Sequence, residues 1–238
     1  MTTTKPHVLV LQHADPEHPG LIADVVQEIG GALEIVRGDL GQPVPESLDG
    51  YDGLIIMGGP QSVYEEDRFP YLRDEKRLAR QAIDNNIPLI GVCLGSQIIA
   101  DVLGSEVHPG GGVEIGWKPV NRSAEIAGDP VLSPLPQAFT PLHWHGDVYD
   151  LPDGAIPIGS SEMTPCQGFI YGETTYALLF HLEMTEPQIM DMARLFPEDI
   201  NRGGLDPSEL QSETPARAAA LEPYATEVFT RWARLLIR

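Results

Sequence analysis

The sequence predicts an α/β protein: a mostly parallel open sheet with helices on both faces, a small antiparallel annex and a helical C-terminal extension. Three observations predict it. Short apolar runs alternate with segments of helical spacing through the first hundred or so residues. The runs are apolar at consecutive positions, as strands buried on both faces require. Beyond Gly104 the runs become short and broken by Gly and Pro, and from Glu186 the spacing turns helical again.

The elements follow in order. Residues 8–11 form the first strand, and Leu21, Val25 and Ile29 line one side of a helix over 20–29. Strands are expected at 33–36 and 53–57, the second ending in Gly58-Gly59-Pro60. A charged amphipathic helix covers 71–85, Pro88 opens a strand at 89–92, and a helix over 96–103 closes at Gly104. Strands alternating with helices give a parallel sheet of the flavodoxin-like kind. Segments 106–126, 139–149, 155–161 and 167–181 read as short strands, forming an antiparallel annex or a continuation of the sheet, and Pro109-Gly110-Gly111-Gly112 reads as a hairpin turn. Helices are expected over 187–196 and 223–236, with a looser stretch at Gly203-Gly204. No repeat or low-complexity linker divides the chain, so residues 1–238 are expected to form one domain, with a core of about 5–186 and an extension of about 187–238.

A net charge of −20 with no basic stripe argues against nucleic acid. No apolar stretch is long enough to span a bilayer, and the run 8–11 is too short for a signal-peptide core. Two cysteines, Cys93 and Cys166, make no disulfide framework. The expectation is a cytoplasmic protein without a membrane partner.

The sharpest motif is Gly91-Val92-Cys93-Leu94-Gly95-Ser96-Gln97. A buried strand runs into Gly-x-Cys-x-Gly and then a helix, the context of a nucleophile elbow. The turn places the sulfur at the carboxyl end of the sheet and at a helix N-terminus, which favours thiolate. Cys166 lacks that context and is expected to be a buried apolar residue. A nucleophile needs a base and the base an orienter. His181 ends an apolar run and Glu183 stands two residues on, on the same side of a strand. An attacked carbonyl needs N–H donors for its developing charge. The backbone N–H of Leu94 is one candidate, and Gly59 at the end of the third strand is the other.

These residues resemble the class I, triad-type glutamine amidotransferases, particularly the amidotransferase part of GMP synthetase and its stand-alone relatives. The matching segments are Met57-Gly58-Gly59-Pro60, Gly91 to Gln97, Glu114-Ile115-Gly116, His145-Gly146-Asp147 and His181-Leu182-Glu183. Leu182 stands where the family usually has Pro, with the His–Glu spacing kept. The resemblance implies hydrolysis of glutamine to glutamate and ammonia through a Cys93 thioester. By the same resemblance Gly58, Gln97, His145, Gly146 and Asp147 border the substrate. No Ser-Gly-Gly-x-Asp-Ser ATP loop occurs, so the ammonia acceptor is expected on a separate synthase or ligase subunit. Two alternatives stay open: a γ-glutamyl peptide hydrolase with the same triad, and an inactive regulatory or binding module on the same fold.

No cofactor is expected. His143, His145 and Asp147 alternate, but a metal site is not expected because the cluster lacks a full ligand set. Pro109 to Gly112 lacks the Lys-Ser or Lys-Thr of a phosphate loop. His13, Asp15 and His18 are expected in a surface loop.

Overall fold

The structure, a computed structural model, describes residues 5–237. The outermost ends of the predicted domain, residues 1–4 and 238, lie outside the described residues. The predicted alternation is present as β1 (His7–Gln12), α1 (Gly20–Glu28), β2 (Ala32–Arg37), β3 (Gly53–Ile56), α2 (Tyr71–Asp84), β4 (Leu89–Val92) and α3 (Leu94–Val102). Then come β5 (Val107–Trp117), β6 (Val120–Arg122), β7 (Ala138–Phe139), β8 (Leu142–Tyr149), β9 (Ile156–Pro157), β10 (Gly159–Ser160), β11 (Gly168–Tyr171) and β12 (Thr175–Leu178). Three helices complete the chain: α4 (Glu186–Leu195), α5 (Pro197–Arg202) and α6 (Pro207–Ala233).

The main sheet runs β2-β1-β3-β4-β12-β11-β9. Its first five strands are parallel, and β11 and β9 extend it antiparallel. Part of the expected annex therefore continues the main sheet. The rest forms two small sheets, β10-β6-β7 and β5-β8. Successive side chains leave a strand on opposite faces. Val8 and Val10 accordingly join one core with Ile22 and Val26 of α1 and Phe229 and Trp232 of α6. Leu9 and Leu11 join the other, with Leu72 and Leu78 of α2 and Ile98 and Ile99 of α3.

The last helix starts sixteen residues earlier than the expected 223, at Pro207, and runs through Pro215 and Pro223. Interior proline removes a helix hydrogen bond and normally ends or kinks the helix. Here Leu210, Leu221, Ala225, Val228 and Trp232 are buried along its length, and packing outweighs local preference. Pro109 to Gly112 is a second correction. It is not a turn but an irregular stretch inside β5, whose pairing with β8 shifts register between Pro109 and Glu114. Among the described residues no helix is long and apolar enough to cross a membrane.

Candidate active site

Cys93 sits between β4 and α3 with φ 49° and ψ −108°, a conformation that non-glycine residues rarely adopt. The flanking glycines make the turn possible. A Cβ on Gly91 would lie 2.5 Å from the Gly95 carbonyl oxygen, and one on Gly95 would run into the Ile56 carbonyl. Neither obstacle is a flexible side chain, so each glycine is sterically required.

The thiol is 6% exposed and approaches the Trp144 carbonyl at 3.5 Å. Burial pushes the Cys93 pKa up, while hydrogen bonding and charge from His181 and the backbone of Leu94 work against that rise. The helix N-terminus does not by itself produce a resting thiolate, because desolvation of the charged sulfur is the larger effect. Deprotonation has to be coupled to a base.

His181 meets that need, although not from the strand assumed for it. β12 ends at Leu178, and His181 is held beyond it by an isolated bridge to Leu142, its N–H donating to the Leu142 carbonyl at 2.8 Å. Its Nδ1 lies 2.7 Å from Oε1 of Glu183, and both side chains are buried. Burial alone would lower the His181 pKa, but the Glu183 carboxylate, with a further contribution from Cys93, raises it well above the ordinary value. The ring and the Cys93 thiol influence each other's titration, and Nε2 has no hydrogen-bond partner. With Nδ1–H directed to Glu183, Nε2 is the site at which the ring holds a proton taken from the thiol, and its raised basicity favours that transfer.

The loop after β3 closes another side. A Cβ on Gly58 would stand 3.4 Å from the Cys93 Cβ, and one on Gly59 would stand 3.0 Å from the Leu94 side chain. Gly58 turns inward, its carbonyl accepting from His13 Nδ1 at 3.0 Å, whereas Gly59 lines an open cavity beside Cys93. Cys93, Gln97, His145, Gly146 and Asp147 line the same cavity. Gln97 donates from Nε2 to the Asp147 carbonyl at 3.1 Å, joining α3 to β8. The Asp147 carboxylate accepts from Ser62 Oγ at 2.8 Å and Tyr64 OH at 3.1 Å.

Several residues here carry no sequence signal. Asp15 and His18 are exposed as expected of a surface loop, but His13 between β1 and α1 is 2% exposed, its Nε2 2.8 Å from the buried Glu75 of α2. Glu17 is buried at the cavity wall, its carboxyl occupying the space a Gly58 side chain would fill. Burial pushes its pKa up to about 7, partly offset by His181. The C-terminal segment also reaches the cavity, through Met192, Phe196, Asp199 and Arg202 of the α4–α5 region. Asp199 accepts from the Trp144 indole N–H at 3.2 Å, anchoring that segment beside Cys93.

The His cluster differs from its expected form. Asp147 faces Ser62 and Tyr64, and Glu114 of β5 takes its place beside His143 and His145. Burial lowers the pKa of His143 to about 4 and of His145 to about 3, so both rings are neutral at pH 7. Cys166 is buried, its S–H directed to the Gly168 carbonyl at 3.7 Å, and burial raises its pKa to about 11.

A strained cysteine at a strand–helix elbow, with a buried His–Glu pair beside it, defines a class of cysteine-dependent site on an open α/β sheet. A family model described as glutamine amidotransferase class-I matches residues 20–196, and the chain belongs to that family. It is 32% identical over 176 residues to the glutamine amidotransferase-like protein YfeJ of Salmonella typhimurium, covering 73% of this chain and 74% of that protein. It is 31% identical over 183 residues to the glutamine-hydrolysing GMP synthase of Thermosipho melanesiensis, covering 76% of this chain but only 33% of the synthase. The crystal structure of a glutamine amidotransferase from Thermotoga maritima superposes with a TM-score of 0.88 at 28% identity, covering 97% of this chain and 99% of that one.

Proposed function

We propose that this chain hydrolyses the side-chain amide of glutamine to glutamate and ammonia, with Cys93 as nucleophile. The observation that carries the reading is the 2.7 Å His181–Glu183 pair acting on a strained, buried Cys93. His181 Nε2 takes the thiol proton as sulfur attacks the amide carbon. The N–H groups of Leu94 and Gly59 receive the charge developing on oxygen. His181 then returns the proton to the departing nitrogen, leaving ammonia and a γ-glutamyl thioester. Water, deprotonated by the same ring, attacks the thioester and releases glutamate. Gln97, His145, Gly146 and Asp147 hold the amino-acid end of the substrate, and Gly58 supports the loop from beneath.

The whole chain acts as one domain in this account, because α4 and α5 of the extension help to wall the cavity. The ammonia passes to an acceptor on a separate synthase or ligase subunit. A second reading, hydrolysis of γ-glutamyl compounds, draws support from Phe196, Asp199 and Arg202, which give the cavity a wall able to contact a larger leaving group.

Ammonia and glutamate release separates these readings, measured with glutamine and with γ-glutamyl dipeptides, for the wild type and Cys93→Ala. Turnover of glutamine that is lost in the variant supports the first, and turnover of dipeptides alone supports the second. Equal inertness of both proteins toward every compound rejects catalysis.

A further inference from the structure

Glu114, His143 and His145 bring one ligand atom each to within 4.8 Å of one another, all buried, where β5 pairs with β8. His143 Nε2 lies 3.2 Å from the Lys118 carbonyl, which can only accept, so Nε2 carries the proton. In the neutral ring Nδ1 is therefore a lone pair, and it faces Glu114 Oε1 at 4.0 Å. Two acceptors are turned toward each other, and neither has a hydrogen-bond partner. His145 Nε2 stands 3.5 Å from Glu114 Oε2 and is also without a partner of ordinary geometry. Leaving such groups buried and unpaired is costly.

We propose that these three side chains form a binding site for a first-row divalent cation of the zinc class. Two imidazoles and a carboxylate suit that class, whereas calcium and magnesium prefer oxygen donors throughout. Donors around a tetrahedral zinc lie about 3.3 Å apart, whereas these three lie up to 4.8 Å apart, so binding calls for the side chains to close in by up to about 1.5 Å. The surrounding shell is already organised. Thr164 Oγ1 at 2.9 Å and Gln167 Nε2 at 2.8 Å orient the Glu114 carboxylate, and the Lys118 carbonyl orients His143. Gln167 Oε1, buried and unpartnered, is a candidate fourth donor. His145 also lines the cavity beside Cys93, so the cation would fix one wall of the active site.

The test adds Co²⁺ to the full chain after chelation, in the wild type and in Cys93→Ala. The proposal expects about one equivalent bound, with d–d bands of nitrogen and oxygen ligation and no thiolate charge-transfer band. Binding persists in Cys93→Ala, is displaced by Zn²⁺, and slows amide exchange at residues 114–116 and 143–145. His143→Gln and Glu114→Gln, with folding checked by circular dichroism, weaken it by about 10- to 100-fold. Absence of saturable binding overturns the site and leaves a polar cluster closed by water. So does a thiolate band that disappears in Cys93→Ala, or protection that maps elsewhere. None of these readouts depends on glutamine turnover, so the site and the proposed activity stand or fall separately.

Discussion

His13 and Glu75 face each other at 2.8 Å with neither side chain exposed, although 62 residues separate them in the chain. The second ring nitrogen of His13 meets the Gly58 carbonyl, so the pair braces the loop that borders Cys93. Removing one member of a buried ion pair strands the other charge, at a cost of about 3–5 kcal/mol. Glu75→Gln is expected to lose that much in urea unfolding. A loss under about 1 kcal/mol would show that the pair does not hold the loop.

The same pair sets an alkaline limit. Burial alone would lower the His13 pKa, but Glu75 and the Gly58 carbonyl raise it from 6.5 to about 9. A raised folded-state pKa gives stability that is fully present below about pH 6.5 and lost as pH rises through about 9. The amount is about 3 kcal/mol. The Tm of the wild type is expected to fall between pH 7 and pH 9, and that of His13→Gln to fall less over the same interval.

Glu17 sets a second, more acidic dependence. Its carboxyl rises from 4.5 to about 7 because burial penalises the charge. The protonated form is favoured in the fold, so the associated stability is complete below about pH 4.5 and is lost as pH rises through 7. Glu17→Gln removes that loss and is expected to stabilise the protein above pH 7 by up to about 3 kcal/mol. Parallel pH–Tm curves for the two proteins would contradict the buried charge.

Much of this site was legible in the sequence because its signals are local. Gly91, Cys93 and Gly95 fall within five residues, and the collisions that demand glycine come from the turn and the adjoining strand end. His181 and Glu183 are close enough in sequence that their pairing survived the wrong assumption of a strand. Glu17, His13–Glu75 and Trp144–Asp199 depend on long-range packing and leave no spacing to read. The extent of α6 was hidden for a related reason: Pro215 and Pro223 are strong local stop signals, and only burial against the sheet overrides them.

That burial makes the extension part of the fold. Trp232 is fully buried beneath the sheet with Phe229 and Val228. Trp232→Ala is expected to cost about 3–5 kcal/mol in urea unfolding. A loss below about 1 kcal/mol would mean that α6 is an appendage rather than a wall of the core.

Glu183 should matter through His181 alone. Glu183→Gln keeps the shape but presents an amide where Nδ1–H needs an anionic acceptor, favouring the wrong tautomer. Turnover is expected to fall by about 10²- to 10⁴-fold while the cysteine remains alkylatable. A fall below about threefold in kcat would remove Glu183 from the proposed triad.

The central claim is a γ-glutamyl group carried on the Cys93 sulfur, and hydroxylamine intercepts such an acyl group. Added during glutamine turnover, it is expected to yield γ-glutamyl hydroxamate at the expense of glutamate in the wild type, and none in Cys93→Ala. Hydroxamate formed at the same rate by both proteins, or glutamate yield unaffected by hydroxylamine at any concentration, would contradict it.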